Sequence, residues 1–426
     1  MASLRGSVTR IHYRKPHLPY TDGVSVSEKV PAYSWYALAV LTAVYVLNFL
    51  DRTLIYILFT PIKKELAFTD LQLALLGTTS FVIFYTLLGV PFGRLADRVP
   101  RKNLIAGGLA VWSIFSGLTG FAHGFWSIFF CRLMVGVGEA TLGPAALSLL
   151  SDYFPPRMRA TVQGIYSSGI AIGGGLAFFL GGWIGQVHGW RWAFYLLGFP
   201  GLFFALLVSL LHEEARGRTE SAAVLQRSSA DWKLLLRSVP LRYLVAGYAL
   251  FALSSNNLGI WGPTFYVRVH HLSLLVVGTA AGILSIVVGI PAMIFGGYFS
   301  DRFKGGRMRL TAAAALASIP LWVVLLFSDR LAILITVNVV LYALALMWVG
   351  PATADVHDIA GPRLRGLAIG IFFSIVNIVA YGIGAPIIGR ASDILGLRTA
   401  MLVCPLACAG GAACLWSAAA RRRDTA

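Results

Sequence analysis

Two adjacent charges, Asp51 and Arg52, interrupt an apolar run that extends from Tyr36 to Thr60 and carries no other charge. At the centre of a membrane helix each costs about 2.5–3.5 kcal/mol on an insertion scale. Such residues belong in a protein interior or a watery cavity, with partners, where their chemistry is ion pairing, anion binding or proton carriage. A second apolar run holds Arg132 and Glu139, seven residues apart. Two helical turns put both on one face, about 10 Å apart along the axis. Counted from one membrane face, Arg132 lies at a depth of about 9 Å, Asp51 at about 14 Å and Glu139 at about 20 Å. Four charges in one depth band, summing to zero, are expected to partner one another.

The proton affinity of a buried carboxylate depends on hydration and on nearby guanidinium groups, whereas arginine stays charged. The pattern therefore assigns Glu139 as the main proton carrier, with Asp51 coupled to it. Arg52 or Arg132 is then free to hold an anionic headgroup when the acid is neutral. A permanent structural ion-pair network is the plainer alternative.

The elements that must position these residues follow from composition. Of the 426 residues 57% are hydrophobic and only 12% charged, where a soluble chain carries about 25% charge. This marks an all-α membrane protein. Apolar segments long enough to span fall at 35–60, 71–93, 104–122, 125–151, 161–186 and 192–211. Six more follow at 241–267, 273–299, 309–328, 331–354, 366–390 and 398–418. The chain divides into a tail (1–34), a six-helix bundle (35–211), a polar linker (212–240), a second bundle (241–418) and a short tail (419–426). The first 34 residues read as a mostly disordered tail without a cleavable signal peptide.

The net charge of +17 raises a nucleic-acid reading, but no basic face or binding motif accompanies it. Roughly 26 of the 35 lysines and arginines instead fall in alternate loops and the two tails, which the positive-inside rule makes cytoplasmic. The expected location is a bacterial inner membrane with both termini inside. Cys131, Cys404, Cys408 and Cys414 lie in apolar segments without metal spacing, and His188, His270 and His271 lack ligand spacing, so no metal is expected. With no Gly-x-x-x-x-Gly-Lys loop, no nucleotide cofactor is expected and a proton gradient is the energy source.

The halves repeat. Gly93-Arg-Leu-Ala-Asp97-Arg98 recurs as Gly297-Tyr-Phe-Ser-Asp301-Arg302, and Pro156-Arg-Met-Arg159 as Pro362-Arg-Leu-Arg365, at offsets of 204 and 206. Parallel repeats put a substrate site near the midplane between the halves. Shifting Asp51-Arg52 by 204–206 lands on or next to Asn256-Asn257, and shifting Arg132 and Glu139 by 206 gives Asn338 and Ala345. The second half thus offers amides and apolar groups, with Trp261, Trp348, Asn377 and Tyr381 as further candidates beside Asn256 and Asn257. Polar residues there serve as helix–helix glue or touch substrate.

The segment Gly93–Lys102 resembles the cytoplasmic motif between helices 2 and 3 of the major facilitator superfamily. Arg132-x-x-x-Gly136-x-Gly138 is similar to that superfamily's helix 4 pattern. With Asn48-Phe-Leu-Asp51-Arg52 and Gly136-Val-Gly-Glu139-Ala, the chain most resembles the spinster-like transporters, which include exporters of sphingosine phosphate and lysophospholipids. The resemblance implies twelve helices in two pseudo-symmetric bundles working by alternating access. It also implies a cytoplasmic latch at Gly93, Asp97, Arg98 and Arg101, with Asp97 docking near the start of helix 11. Asp301 is its repeat copy, expected to be weaker because Lys304-Gly-Gly-Arg307 alters the basic run. Gly164, Gly169, Gly173–Gly175 and Gly181-Gly182 of helix 5 resemble the superfamily's glycine-rich helix without its proline. Packing alone accounts for them.

The reading is a proton-coupled transporter, active as a monomer, that moves an anionic amphiphile such as a lysophospholipid or sphingoid phosphate. A transporter of drug-like or small organic ions is the alternative. A polytopic lipid-modifying enzyme is disfavoured, since no nucleophile–base pair or metal spacing appears.

Overall fold

The computed structural model describes residues 30–213 and 238–423. The tail before residue 30, most of the linker and the last three residues lie outside the described part. Twelve long helices account for it: α1 (Ala32–Ile57), α2 (Asp70–Ala96), α3 (Arg101–Thr119), α4 (Phe125–Tyr153), α5 (Thr161–Val187), α6 (Trp190–Ser209), α7 (Val239–Val269), α8 (Leu274–Arg302), α9 (Arg307–Phe327), α10 (Leu331–Ala360), α11 (Leu367–Leu395) and α12 (Leu397–Arg421). Ten are long and apolar enough to span by composition. α3 and α7, diluted by Arg101-Lys102-Asn103 and by Asn256-Asn257, complete the twelve.

Their ends follow local chemistry. After α1 the chain continues through a short helix, Phe59–Leu66, and leaves it at Ala67 with a left-handed backbone (φ 52°). Thr69 then starts α2 with a capping box: its hydroxyl accepts from Gln72 N at 3.1 Å while the Gln72 side chain accepts from Thr69 N at 2.9 Å. Ser238 and Ser273 cap α7 and α8 more simply, each hydroxyl accepting one backbone N–H, from Leu241 and Val276. Gly189, Gly306 and Gly396, at φ 91°, 87° and 80°, turn the chain into α6, α9 and α12. The helical path runs unbroken from Val349 to Asn377, so α10 and α11 join without a loop; the side chains of residues 361–366, and with them the second Pro-Arg-x-Arg motif, lie outside the described part.

Buried side chains line the helix interfaces, and large apolar ones such as Trp126, Leu210 and Leu406 are exposed, as a bilayer-facing surface requires. Most of the basic loops gather at one end of the molecule, the basic end. The described hydrogen bonds that cross between α1–α6 and α7–α12 lie from mid-depth to the opposite, distal end. Ser285 Oγ donates to Ala171 O at 3.1 Å, Thr79 Oγ1 to Gly382 O at 3.3 Å and Leu274 N to the Gln186 side chain at 3.1 Å. There α5 and α8 approach through glycines: a Cβ on Gly278 would stand 2.4 Å from Phe178 O, and one on Gly282 2.7 Å from Gly175 O. The molecule is closed at the distal end.

Candidate functional site

Of the adjacent pair Asp51-Arg52, Arg52 finds a partner on α4. Arg52 Nη2 donates to Glu139 Oε2 at 2.8 Å and Nε to the same oxygen at 3.3 Å. Glu139 is fully buried, whereas the Arg52 side chain keeps 17% of its surface accessible. Three rings surround the guanidinium: Phe81 at 4.3 Å, Phe49 at 4.9 Å and Tyr85 at 4.9 Å from Cζ. Ring faces stabilise a cation by about 0.5–2 kcal/mol apiece and tolerate its desolvation.

The other two charges are arranged differently from the expected tetrad. Arg132, with no accessible surface, donates from Nη1 to the backbone carbonyl of Asp51 at 3.2 Å; its Nε and Nη2, like Glu139 Oε1, have no partner among the described residues. The Asp51 carboxylate accepts from Ser116 Oγ on α3 at 2.7 Å. So the four charges lie together, but only Arg52 and Glu139 bond side chain to side chain. Ser116 was missed, although Ser113, Ser116 and Thr119 form a polar stripe at helical spacing, all with no accessible surface.

The glycines of α4 set this geometry. A Cβ on Gly136 would stand 2.8 Å from Phe81 O of α2, and one on Gly138 2.6 Å from Gly108 O of α3. Their absence lets α4 press on both neighbours and carry Arg132 and Glu139 inward.

In the second half, the amides mostly serve the backbone. Asn257 Nδ2 donates to Leu253 O at 2.8 Å and to Ala380 O at 3.2 Å, and Trp261 Nε1 to Ala385 O at 3.2 Å. Ala380 lies within a π-helical turn of α11, Ile378–Gly384, and Ala385 directly follows it, so both side chains tie α7 to an irregular stretch. Asn256 bonds Ala252 O at 2.8 Å and receives the Tyr381 hydroxyl; Trp348 Nε1 donates to Ser255 Oγ at 3.1 Å. Asn377 precedes the π-turn, half-buried. The view of this half as amides and apolar groups alone needs correcting: Asp355, buried to 1% exposure, accepts from Tyr248 OH at 2.8 Å. It sits one residue beyond the apolar run 331–354, which is why segment reading passed over it.

The comparisons with known proteins fit this geometry. A profile described as Major Facilitator Superfamily matches residues 41–380. The chain belongs to the Major Facilitator Superfamily. A superfamily relative from Mycolicibacterium smegmatis (strain ATCC 700084 / mc(2)155), named MFS-type efflux pump, is 27% identical over 92% of this chain and 95% of its own. Protein spinster of Drosophila melanogaster is 30% identical over 60% of this chain, which covers 42% of that protein, so it spans under half of that relative's length. A solved structure of a bacterial homologue of the human lysosomal transporter Spinster, inward-facing and occupied, superposes with a TM-score of 0.82. It is 25% identical, covering 91% of this chain and 97% of that one. The D-xylose-proton symporter shares the fold, with a TM-score of 0.73 at 16% identity. The chain is thus a superfamily transporter close to the spinster-like branch.

At its basic end this superfamily chain repeats a clamp. In the first half Arg101, almost fully buried, bonds Asp152, Glu213 (Nε to Oε1, 2.9 Å) and Ser148 (3.0 Å). In the second, Arg307 bonds Asp301 and Asp358, both at 2.9 Å. Arg101 and Arg307, like Asp152 and Asp358, differ by the repeat offset of 206. Two of the expected latch residues, Arg101 and Asp301, therefore hold partners within their own halves. The altered basic run keeps an arginine with two carboxylates. Gly93 lies beside Pro144, and Asp97 and Arg98 are exposed at the end of α2. Burial pushes the Glu213 carboxyl up, but hydrogen bonds from Arg101 and from the Lys102 backbone outweigh it and hold it below its usual range.

The distal end carries a charged gate that sequence reading did not find. Asp70 accepts from Lys63 Nζ at 2.6 Å in its own half, and from Arg268 at 2.7 Å and Ser392 at 2.6 Å in the other. Asp393 of α11 accepts from the backbone N–H groups of Asp70 (2.7 Å) and Leu71 (3.0 Å), capping α2 from across the interface. Gly389 makes room, since a Cβ there would stand 2.6 Å from Asp70 O. Asp70 and Asp393 lie at segment edges, where a charge reads as a loop residue.

Proposed function

We propose that this transporter moves an anionic amphiphile, of lysophospholipid or sphingoid-phosphate type, by proton-coupled alternating access. The single observation that carries the reading is the Arg52–Glu139 pair: one partly accessible, ring-enclosed guanidinium whose described carboxylate partner is fully buried. A proton on Glu139 removes the charge that holds Arg52. The guanidinium then offers its planar donors to a phosphate, which it can bind bidentately. The rings of Phe49, Phe81 and Tyr85 supply an apolar wall beside that headgroup. Asp51, oriented by Ser116, adjusts the field through Arg132. Tyr381, near enough to Arg52 to act on its charge, and Asn256, which receives the Tyr381 hydroxyl, are lower-ranked substrate contacts from the second half, with Trp348 ranked after them. The basic end is the cytoplasmic one, with both termini inside a bacterial inner membrane, and a monomer suffices. Exposed Asp97 and Arg98 engage the other half when the basic end closes.

The efflux pump that matches along nearly its whole length favours a second reading, export of a drug-like or organic ion. Proteoliposome flux separates the two. Labelled lysophosphatidic acid and an organic-cation dye are each loaded with and without an imposed pH gradient. Gradient-stimulated lysolipid movement that loses its gradient response in Glu139→Gln is the expected result. Dye movement alone establishes the second reading, and unchanged coupling in Glu139→Gln removes the proton role of that residue.

A further inference from the structure

Between α7, α8 and α10, in the distal half of the second bundle, lies a cavity of about 210 Å³. Its origin is a divergence of helices. Near mid-depth and below, α8 rests on α10, with Gly289 beside Tyr342 and Gly296 against Met347. Beyond that point α8 leans the other way, drawn onto α5 by Gly278 and Gly282. The fork between α8 and α10 is left open to the side. Its rim residues, Val276, Ile335 and Val339, are exposed at 54%, 57% and 36% on the bilayer-facing surface.

Three features define what fits. The cavity runs along α10 from Leu331, its first residue, to Tyr342. The eleven helical rises between them make about 17 Å, close to the half-thickness of a hydrocarbon core of about 30 Å. The back wall is notched at Gly259 and Gly262 of α7: a Cβ on Gly259 would meet nothing within 4 Å. Its polar lining is Asn338 and Tyr342 of α10 and Tyr266 of α7. The Tyr266 hydroxyl, three residues from the end of α7, is buried without a hydrogen-bond partner among the described residues.

We propose that this fork is a site for one acyl chain of a membrane phospholipid from the distal leaflet. The chain enters sideways and descends from the interface towards Tyr342. The Tyr266 hydroxyl, at the depth of the glycerol esters, donates to an ester carbonyl. The bound chain fills the space from which α8 has withdrawn and braces α8 against α5. The site is thereby linked to closure of the distal end, and it does not depend on which substrate is carried.

The test uses the full-length protein in bilayers containing a phospholipid with a diazirine halfway along one acyl chain. After illumination, adducts are mapped by peptide mass spectrometry in wild type, Gly259→Leu and Val339→Trp. The expected result is labelling concentrated between Gly259 and Tyr266 and on the facing residues of α8 and α10. In both variants it is lost there and retained at other bilayer-facing helices, which also shows that they fold. Labelling spread evenly over the bilayer-facing surface, or unchanged by both variants, overturns the site. Competition of these adducts by excess lysophosphatidic acid also overturns the proposal, by assigning the fork to a transported tail.

Discussion

At Asp51 and Arg52 the same local sequence yields two different environments, one residue apart. Arg52 reaches a carboxylate on α4 and three rings, whereas Asp51 turns to the hydroxyl of Ser116. Hydrogen bonds to charged groups contribute about 1.5–3 kcal/mol. Ser116→Ala is therefore expected to lower thermal stability by about 2 kcal/mol. Ser116→Thr, which keeps the hydroxyl, should recover part of it; differential scanning fluorimetry in detergent reads both. Glu213 gives a prediction with a sign. Its folded carboxyl sits below its usual range of about 4.3. The stability it contributes is thus complete above that range and is lost only as pH falls through the lowered folded value. Glu213→Gln should cost about 1 kcal/mol near neutral pH, with the difference from wild type vanishing in strong acid. A pH series of melting curves checks this. The depth of the four charges was legible from residue counts, but their pairing was not, because depth says nothing of azimuth. Ser116 was hidden because a hydroxyl in an apolar run reads first as packing.

Among the elements, the helices are legible from the apolar segments and the repeat offset. Hydrophobicity and register are carried by every residue, so errors average out. The π-turns at Leu75–Thr79 of α2 and Ile378–Gly384 of α11 leave no such trace, since one extra residue per turn barely alters the apolar pattern. They meet across the interface, where Thr79 bonds Gly382 O. The helix 5 glycines were legible as packing residues, but their partners on α8 were not. A side chain on Gly278 would collide with the Phe178 carbonyl. Gly278→Val is expected to wedge α5 from α8 and shift the population towards a distal-open form. The measurement is labelling of a cysteine introduced at Thr60 by an impermeant maleimide added from the distal side. Labelling as slow as in an otherwise unaltered chain would count against the wedge.

For the whole molecule, the two ends are built on different plans. The basic end carries clamps inside each half, Arg101 and Arg307 with their carboxylates, which keep each bundle rigid while it moves. The distal end carries bonds between the halves, so its opening costs the Asp70 contacts and those of Asp393 together. The asymmetry suits a carrier resting closed on the distal side. Asp393→Asn should weaken that closure and raise distal-side labelling of the Thr60 cysteine, whereas loss of the Arg101 clamp should act mainly on stability.

The cap that Asp393 places on α2 has a further consequence. The amide protons of Asp70 and Leu71 are covered by a residue that must withdraw whenever the halves part. Their exchange with deuterated water is then gated by distal opening rather than by local fraying. In wild type they should exchange slowly at rest and faster when a substrate drives cycling, with neighbouring amides deeper in α2 unchanged. Two backbone positions would count turnovers without any label attached to the protein.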